Sequence, residues 1–66
     1  MIHIFKIKDS TNNKSINTII ELNSFKKNDT LLLRELSDDA LRVVSYKNGI
    51  LKLQNEHITY ICVKLG

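Results

Sequence analysis

Five of the ten basic side chains, Lys6, Lys8, Lys26, Lys27 and Arg42, could line one groove. Lysine and arginine are the residues that contact phosphates. Phe5, Phe25, Tyr46 and Tyr60 are the four aromatics available to stack on bases of single-stranded RNA. Arg34 offers a further phosphate contact; otherwise it and Glu35 end the leucine strand in a cross-strand ion pair of small worth or in solvent. A basic nucleic-acid-binding face is the first expectation. The net charge of +3 permits a polyanionic ligand without requiring one, since solubility alone accounts for a charge of that size.

Other reactive residues are few. Glu21 would act as a general acid or base if buried beside a lysine, and on an edge strand it is a solvated carboxylate. Glu35, Asp38 and Asp39 form an acidic knot that suits a cation or a basic partner if it is more than a solvated turn. His57 beside Tyr60 invites catalysis, but a histidine at a strand start commonly lies on the surface. Cys62 is the sole cysteine, so no intramolecular disulfide can form. With His3 and His57 it falls short of the four ligands of a structural zinc site. Within an apolar run Cys62 reads as a small buried hydrophobe. No catalytic set, metal or cofactor is expected.

The elements that would position these residues are strands. Within 2–8, His3, Phe5 and Ile7 alternate with Lys6 and Lys8. Residues 9–15 are a polar loop rich in turn formers. In 16–22, Ile16, Thr18, Ile20 and Leu22 share a face. A turn over 23–29 leads to a leucine run over 30–36. Ser37 could cap one short helical turn near residues 37–41, although Val43 and Val44 favour a strand. Segments 40–46 and 50–54 flank Lys47-Asn48-Gly49, and Asn-Gly between apolar runs is a strong hairpin signal. The last strand, 57–65, is apolar on both faces, which suits a central strand or an interface. Leu31, Leu33, Val43, Leu51, Leu53 and Ile61 are the predicted core.

About six short strands with tight turns predict an all-β small barrel, which avoids exposed sheet edges. The 66 residues form a single domain spanning 1–66. A domain of this size buries only about 60% of its unfolded surface, so an apolar core must carry it, or a second copy must complete it. No apolar run reaches the roughly 20 residues that cross a bilayer as a helix. The amino terminus lacks the apolar core of a signal peptide, and with a free thiol this places the chain in the cytoplasm.

The phrase Phe25-Lys26-Lys27-Asn28-Asp29-Thr30-Leu31-Leu32-Leu33-Arg34-Glu35 resembles the F-K-x-G-D-x-L-x-L-R-E strand of ASCH domains in the PUA-like superfamily. Within it, the similarity is to a branch of short phage and mobile-element proteins. His57-Ile58-Thr59-Tyr60-Ile61 is similar to a downstream V-T-Y-I strand of that branch, and Thr18-Ile19-Ile20-Glu21-Leu22-Asn23 to its T-x-E-I-R segment. The resemblance covers about two thirds of the chain and implies a PUA-like or SH3-like barrel. Asn28 replaces the family's turn glycine, and Asn23 replaces its arginine. The segment between His3 and Ile16 is too short for the family's amino-terminal helix and Gly-Lys turn. Some relatives hydrolyse modified nucleosides with a lysine, a threonine and a glutamate, for which Lys14, Thr18 and Glu21 are the positional candidates. The leading expectation is a non-enzymatic module binding RNA or single-stranded nucleic acid. The alternative is a protein-interaction module, such as a phage-type inhibitor or an assembly subunit. A reduced amidohydrolase ranks third, because the lysine-bearing segment is cut short.

Overall fold

The computed structural model describes residues 2–10 and 18–66. The chain is all-β among them. Its strands are β1 (His3–Ser10), β2 (Ile19–Leu22), β3 (Thr30–Leu31), β4 (Leu41–Lys47), β5 (Ile50–Gln54) and β6 (Thr59–Lys64). They make one antiparallel sheet in the order β2-β1-β6-β5-β4-β3. The expected small barrel takes the form of a curled half-barrel, with β2 and β3 as its two ends.

Alternation decides the inside. Phe5 and Ile7 of β1 and Ile20 and Leu22 of β2 are buried. So are Leu41 and Val43 of β4, Leu51 and Leu53 of β5, and Tyr60 and Cys62 of β6, with Ile58 just before that strand. Register shifts interrupt the β1–β6 pairing at Ile7/Asp9 and the β4–β5 pairing at Val43/Ser45. Such irregularities bend a strand and increase its twist, which helps the sheet curl around this core.

Two turns follow their residue chemistry. Asn48 and Gly49 both take positive φ, 53° and 78°, and join β4 to β5 as the Asn-Gly signal predicts. Asn28 also lies in the left-handed region, at φ 74°. Its turn is tied by Lys26 N donating to Asp29 Oδ2 at 2.7 Å and by Asp29 N donating to the Lys26 carbonyl at 3.0 Å.

The leucine run departs from expectation. Only Thr30 and Leu31 are strand, and residues 34–36 turn. The Leu33 carbonyl accepts the amides of Leu36 and Ser37 at 2.9 and 3.0 Å, so the backbone is satisfied locally rather than in a ladder. The Leu36 carbonyl accepts the Tyr60 hydroxyl at 2.6 Å, which pins this turn over the core. No helix forms near residues 37–41 among the described residues. Instead the Ser37 hydroxyl accepts the Asp39 amide at 3.2 Å.

Three predicted core residues are corrected as a result. Leu31 and Leu33 are half-buried, packed against the core from its rim. Ile61 is half-buried on the opposite face of β6, because Leu51 pairs with Cys62 and Leu53 with Tyr60. Val43, Leu51 and Leu53 are fully enclosed as predicted. Of the two places expected for the last strand, central or in an interface, the structure gives the first, since β6 lies between β1 and β5. Residues 16 and 17 of the predicted second strand lie outside the described residues.

Leu53→Ala should destabilise the fold by about 2–5 kcal/mol, because it opens a cavity in a sealed interior. Leu33→Ala should cost clearly less, since its site on the rim can refill with water or collapse. Urea unfolding of both variants checks the order, and an equal loss for the two would contradict this placement of the leucine run.

Candidate functional site

His3, Phe5, Phe25 and Tyr46 gather at one end of the concave side, with every pair of ring centroids between 5.1 and 6.4 Å apart. The Phe25–Tyr46 pair is the closest, edge to face at 5.1 Å. Such tilted contacts suit the ring quadrupoles. The cluster explains how the loop after β2 is held across the sheet, because Phe25 is its anchor. His3 Nδ1 is buried there without a hydrogen-bond partner. Three of the four aromatics are thus committed to packing, and Tyr60 is buried and bonded to Leu36. Of the rings expected to stack on bases, Phe5 and Tyr60 are buried, while Tyr46 keeps 40% exposure at the end of the concave side.

The five predicted basic residues separate into two groups. Lys26 and Lys27 are exposed in the turn before β3, and Arg42 Nη1 donates to Asn28 Oδ1 at 3.2 Å beside them. Lys6 and Lys8 project outward from β1. That strand stands three positions from β4 in the sheet, about 14 Å at ~4.8 Å per strand.

Lys6 and Lys8 instead share the outer face with side chains the sequence reading missed. Register places Ile19, Lys6, Val63, Ile50 and Lys47 in one row from β2 to β4. A second row holds Ile61, Lys52 and Ser45, with Lys8 next to the irregularity at Asp9. Beyond it, Gln54 pairs with Thr59 and Arg42, and Arg42 with Thr30. On the other side of the first row, Glu21 pairs with Ile4, whose carbonyl accepts the Leu65 amide at 2.8 Å. Ile4, Ile19, Ile50 and Leu65 are 38%, 55%, 38% and 42% exposed, which makes the centre of this face apolar. Five cations, Lys6, Lys8, Arg42, Lys47 and Lys52, lie within or around it; Glu21 is exposed at its β2 end, and Asp9 pairs with Ile61 in register. Lys47 and Lys52 were legible in principle. Lys52 stands between Leu51 and Leu53, and the Asn48-Gly49 turn fixes Lys47 opposite Ile50.

The acidic side chains concentrate elsewhere. Asp39, Ala40, Asn55, Glu56 and His57 line a depression of about 350 Å³. His57 Nε2 is 3.7 Å from Asp39 Oδ2, with both side chains largely exposed, a separation too long for a hydrogen bond. Asn55 Oδ1 accepts the amides of His57 and Ile58 at 2.8 and 3.0 Å, and Asn55 Nδ2 donates to Ser37 Oγ at 3.2 Å. These bonds tie two loops together. Asp38 and Glu35 are exposed nearby in sequence, and no group of three metal-ligating side chains converges among the described residues.

Arg34 is exposed in the turn over 34–36. Glu21 is exposed on the end strand β2, while Thr18 precedes that strand at the alternation of the inward-facing Ile20 and Leu22. Thr18 and Glu21 therefore belong to opposite faces. Lys14 lies outside the described residues. No helix of the described residues is long and apolar enough to cross a membrane. No family model, curated protein or solved structure matches the chain.

Cys62 is sealed in the core, and burial pushes its thiol from 9.0 up to about 12. Burial also raises the Tyr60 hydroxyl, with the nearby Cys62 adding to it. The folded state therefore holds these protons more tightly than the unfolded chain. Their stabilising contribution is complete below pH 9 and should be lost as pH rises from about 9 to about 12. Urea titrations across that window should show falling stability, with a shallower fall in Cys62→Ala. A thiol reagent should label the native protein only on unfolding, and rapid labelling at neutral pH would contradict the sealed position.

Proposed function

We propose that the chain is a non-enzymatic interaction module of PUA-like type, and that it binds a protein through the outer face of its sheet. The observation that carries this reading is the exposure of Ile4, Ile19, Ile50 and Leu65 on one sheet face, beside the half-buried Val63 and Ile61 and with Lys6 set among them. A water-soluble monomer rarely leaves such a patch uncovered unless it is an interface. The left-handed backbone at Asn28 supports the PUA-like resemblance, since it is the conformation the family's turn glycine would supply. A buried free thiol fits the reducing cytoplasm as the place of action.

RNA binding remains the second reading, favoured by the five cations on the same face. Without rings on that face it reduces to phosphate contact, which is indifferent to sequence and steeply dependent on salt.

A photo-crosslinking benzophenone residue placed at position 50 should yield discrete protein adducts in the native cells, and one placed at position 56 should not. Adducts that ribonuclease removes would transfer the proposal to RNA. Equal adducts from both positions, or none from position 50, would overturn it.

A further inference from the structure

We propose that the partner presents an acidic amphipathic helix, whose apolar stripe lies on Ile4, Ile50, Ile61 and Val63 while its carboxylates meet Lys6, Lys8, Lys47 and Lys52. The inference rests on the protein-interaction reading and adds the chemistry of the partner.

Charge complementarity selects this occupant. Lys6 stands inside the apolar row, between Ile19 and Val63. Lys47 closes that row, and Lys52 lies in the next one, beside Ile61. A purely apolar partner would bury these ammonium groups without counter-charges, which is costly. A second copy laid face to face would bring like charges together around the same row. A partner with carboxylates beside its apolar stripe satisfies both sets of groups at once.

The dimensions agree. From β1 to β4 the named side chains span three inter-strand gaps, about 14 Å at ~4.8 Å each. That is the length of a helix of about 10 residues at 1.5 Å per residue. An amphipathic helix supplies an apolar stripe with flanking side chains that reach sideways, and long lysines can bend to meet them while their stems cover apolar surface. A nucleic acid offers the anions without the aliphatic stripe. An anionic bilayer offers both, but interfacial binding favours exposed aromatic anchors, and the described aromatics are packed inside or at the rim.

The test uses the isotopically labelled full chain and a synthetic helix of about 18 residues with leucines at i, i+3, i+4 and i+7 flanked by glutamates. Its controls are the same stripe flanked by lysines, a scrambled sequence, an oligouridine and vesicles with phosphatidylglycerol. The glutamate-flanked helix should shift amide resonances of β1, β5 and β6. Its affinity should fall on the order of tenfold in Lys47→Glu/Lys52→Glu and should weaken with salt, because close charge pairs across the contact are lost or screened. Lys26→Ala/Lys27→Ala, in the turn before β3 and outside the named contact residues, should bind as the wild type does. Retained amide dispersion in the charge-reversed variant excludes unfolding as the cause, and Lys6→Gln gives a milder second variant with a smaller loss. Equal binding of the lysine-flanked helix, tighter binding of oligouridine or vesicles, or self-association that occludes the face would overturn the proposal. Protein adducts from position 50 together with no binding of the acidic helix would sink this partner chemistry while leaving the interaction reading standing. Ribonuclease-sensitive adducts would remove both.

Discussion

A single sheet in this chain must bury one of its own faces, and nearly everything else follows from that constraint. No disulfide is available, and no second layer of structure lies over the sheet among the described residues. Curling is the available solution. It brings Phe5 and Ile20 from one end of the sheet together with Leu41, Val43, Leu51 and Leu53 from the other, so that all are enclosed. The open side still needs cover, and two loop residues give it. Phe25 closes one end through the ring cluster, and Leu36 is held near the other by the hydroxyl of Tyr60. The aromatic residues are therefore structural by necessity. In a chain with four of them, Phe5 and Tyr60 are buried, Phe25 is partly buried and Tyr46 keeps 40% exposure at the rim.

Local signals in the sequence carried over well where the backbone itself demanded a residue. Asn48-Gly49 and Asn28 take positive φ, and in β1 the alternation of Phe5 and Ile7 with Lys6 and Lys8 sets which way each points. Two kinds of information were missing. The first is a choice between equivalent faces. Ile58, Tyr60 and Cys62 are no more apolar than Ile61, Val63 and Leu65, so β6 alone does not say which set is inside. The decision comes from pairing with β5 and from the bond Tyr60 makes to Leu36. The second is non-local order. Whether Lys6 stands near Arg42 or near Lys47 depends on β6 inserting between β1 and β5, a pairing set by contacts far apart in sequence. The leucine run failed for a related reason. Three consecutive leucines put Leu32 outward, where it is 54% exposed, and the segment gains more from capping the core than from extending an end strand.

The same arrangement bears on which contacts between copies the sheet disfavours. β6 has the composition of an aggregation-prone segment, but both of its edges are occupied, by β1 and β5. The terminal strands are short, four residues in β2 and two in β3, which limits edge-to-edge pairing. The outer face is the remaining hazard, and there the cations intervene. Lys6 interrupts the line of Ile19, Val63 and Ile50, so two such faces cannot meet without placing ammonium groups against apolar side chains or against one another. Repulsion of that kind disfavours the wrong partner while leaving the apolar surface accessible to one that brings carboxylates. Under the proposed reading, discrimination among partners and against a second copy would share one physical origin, the insertion of a charged strand position into an otherwise aliphatic sheet face.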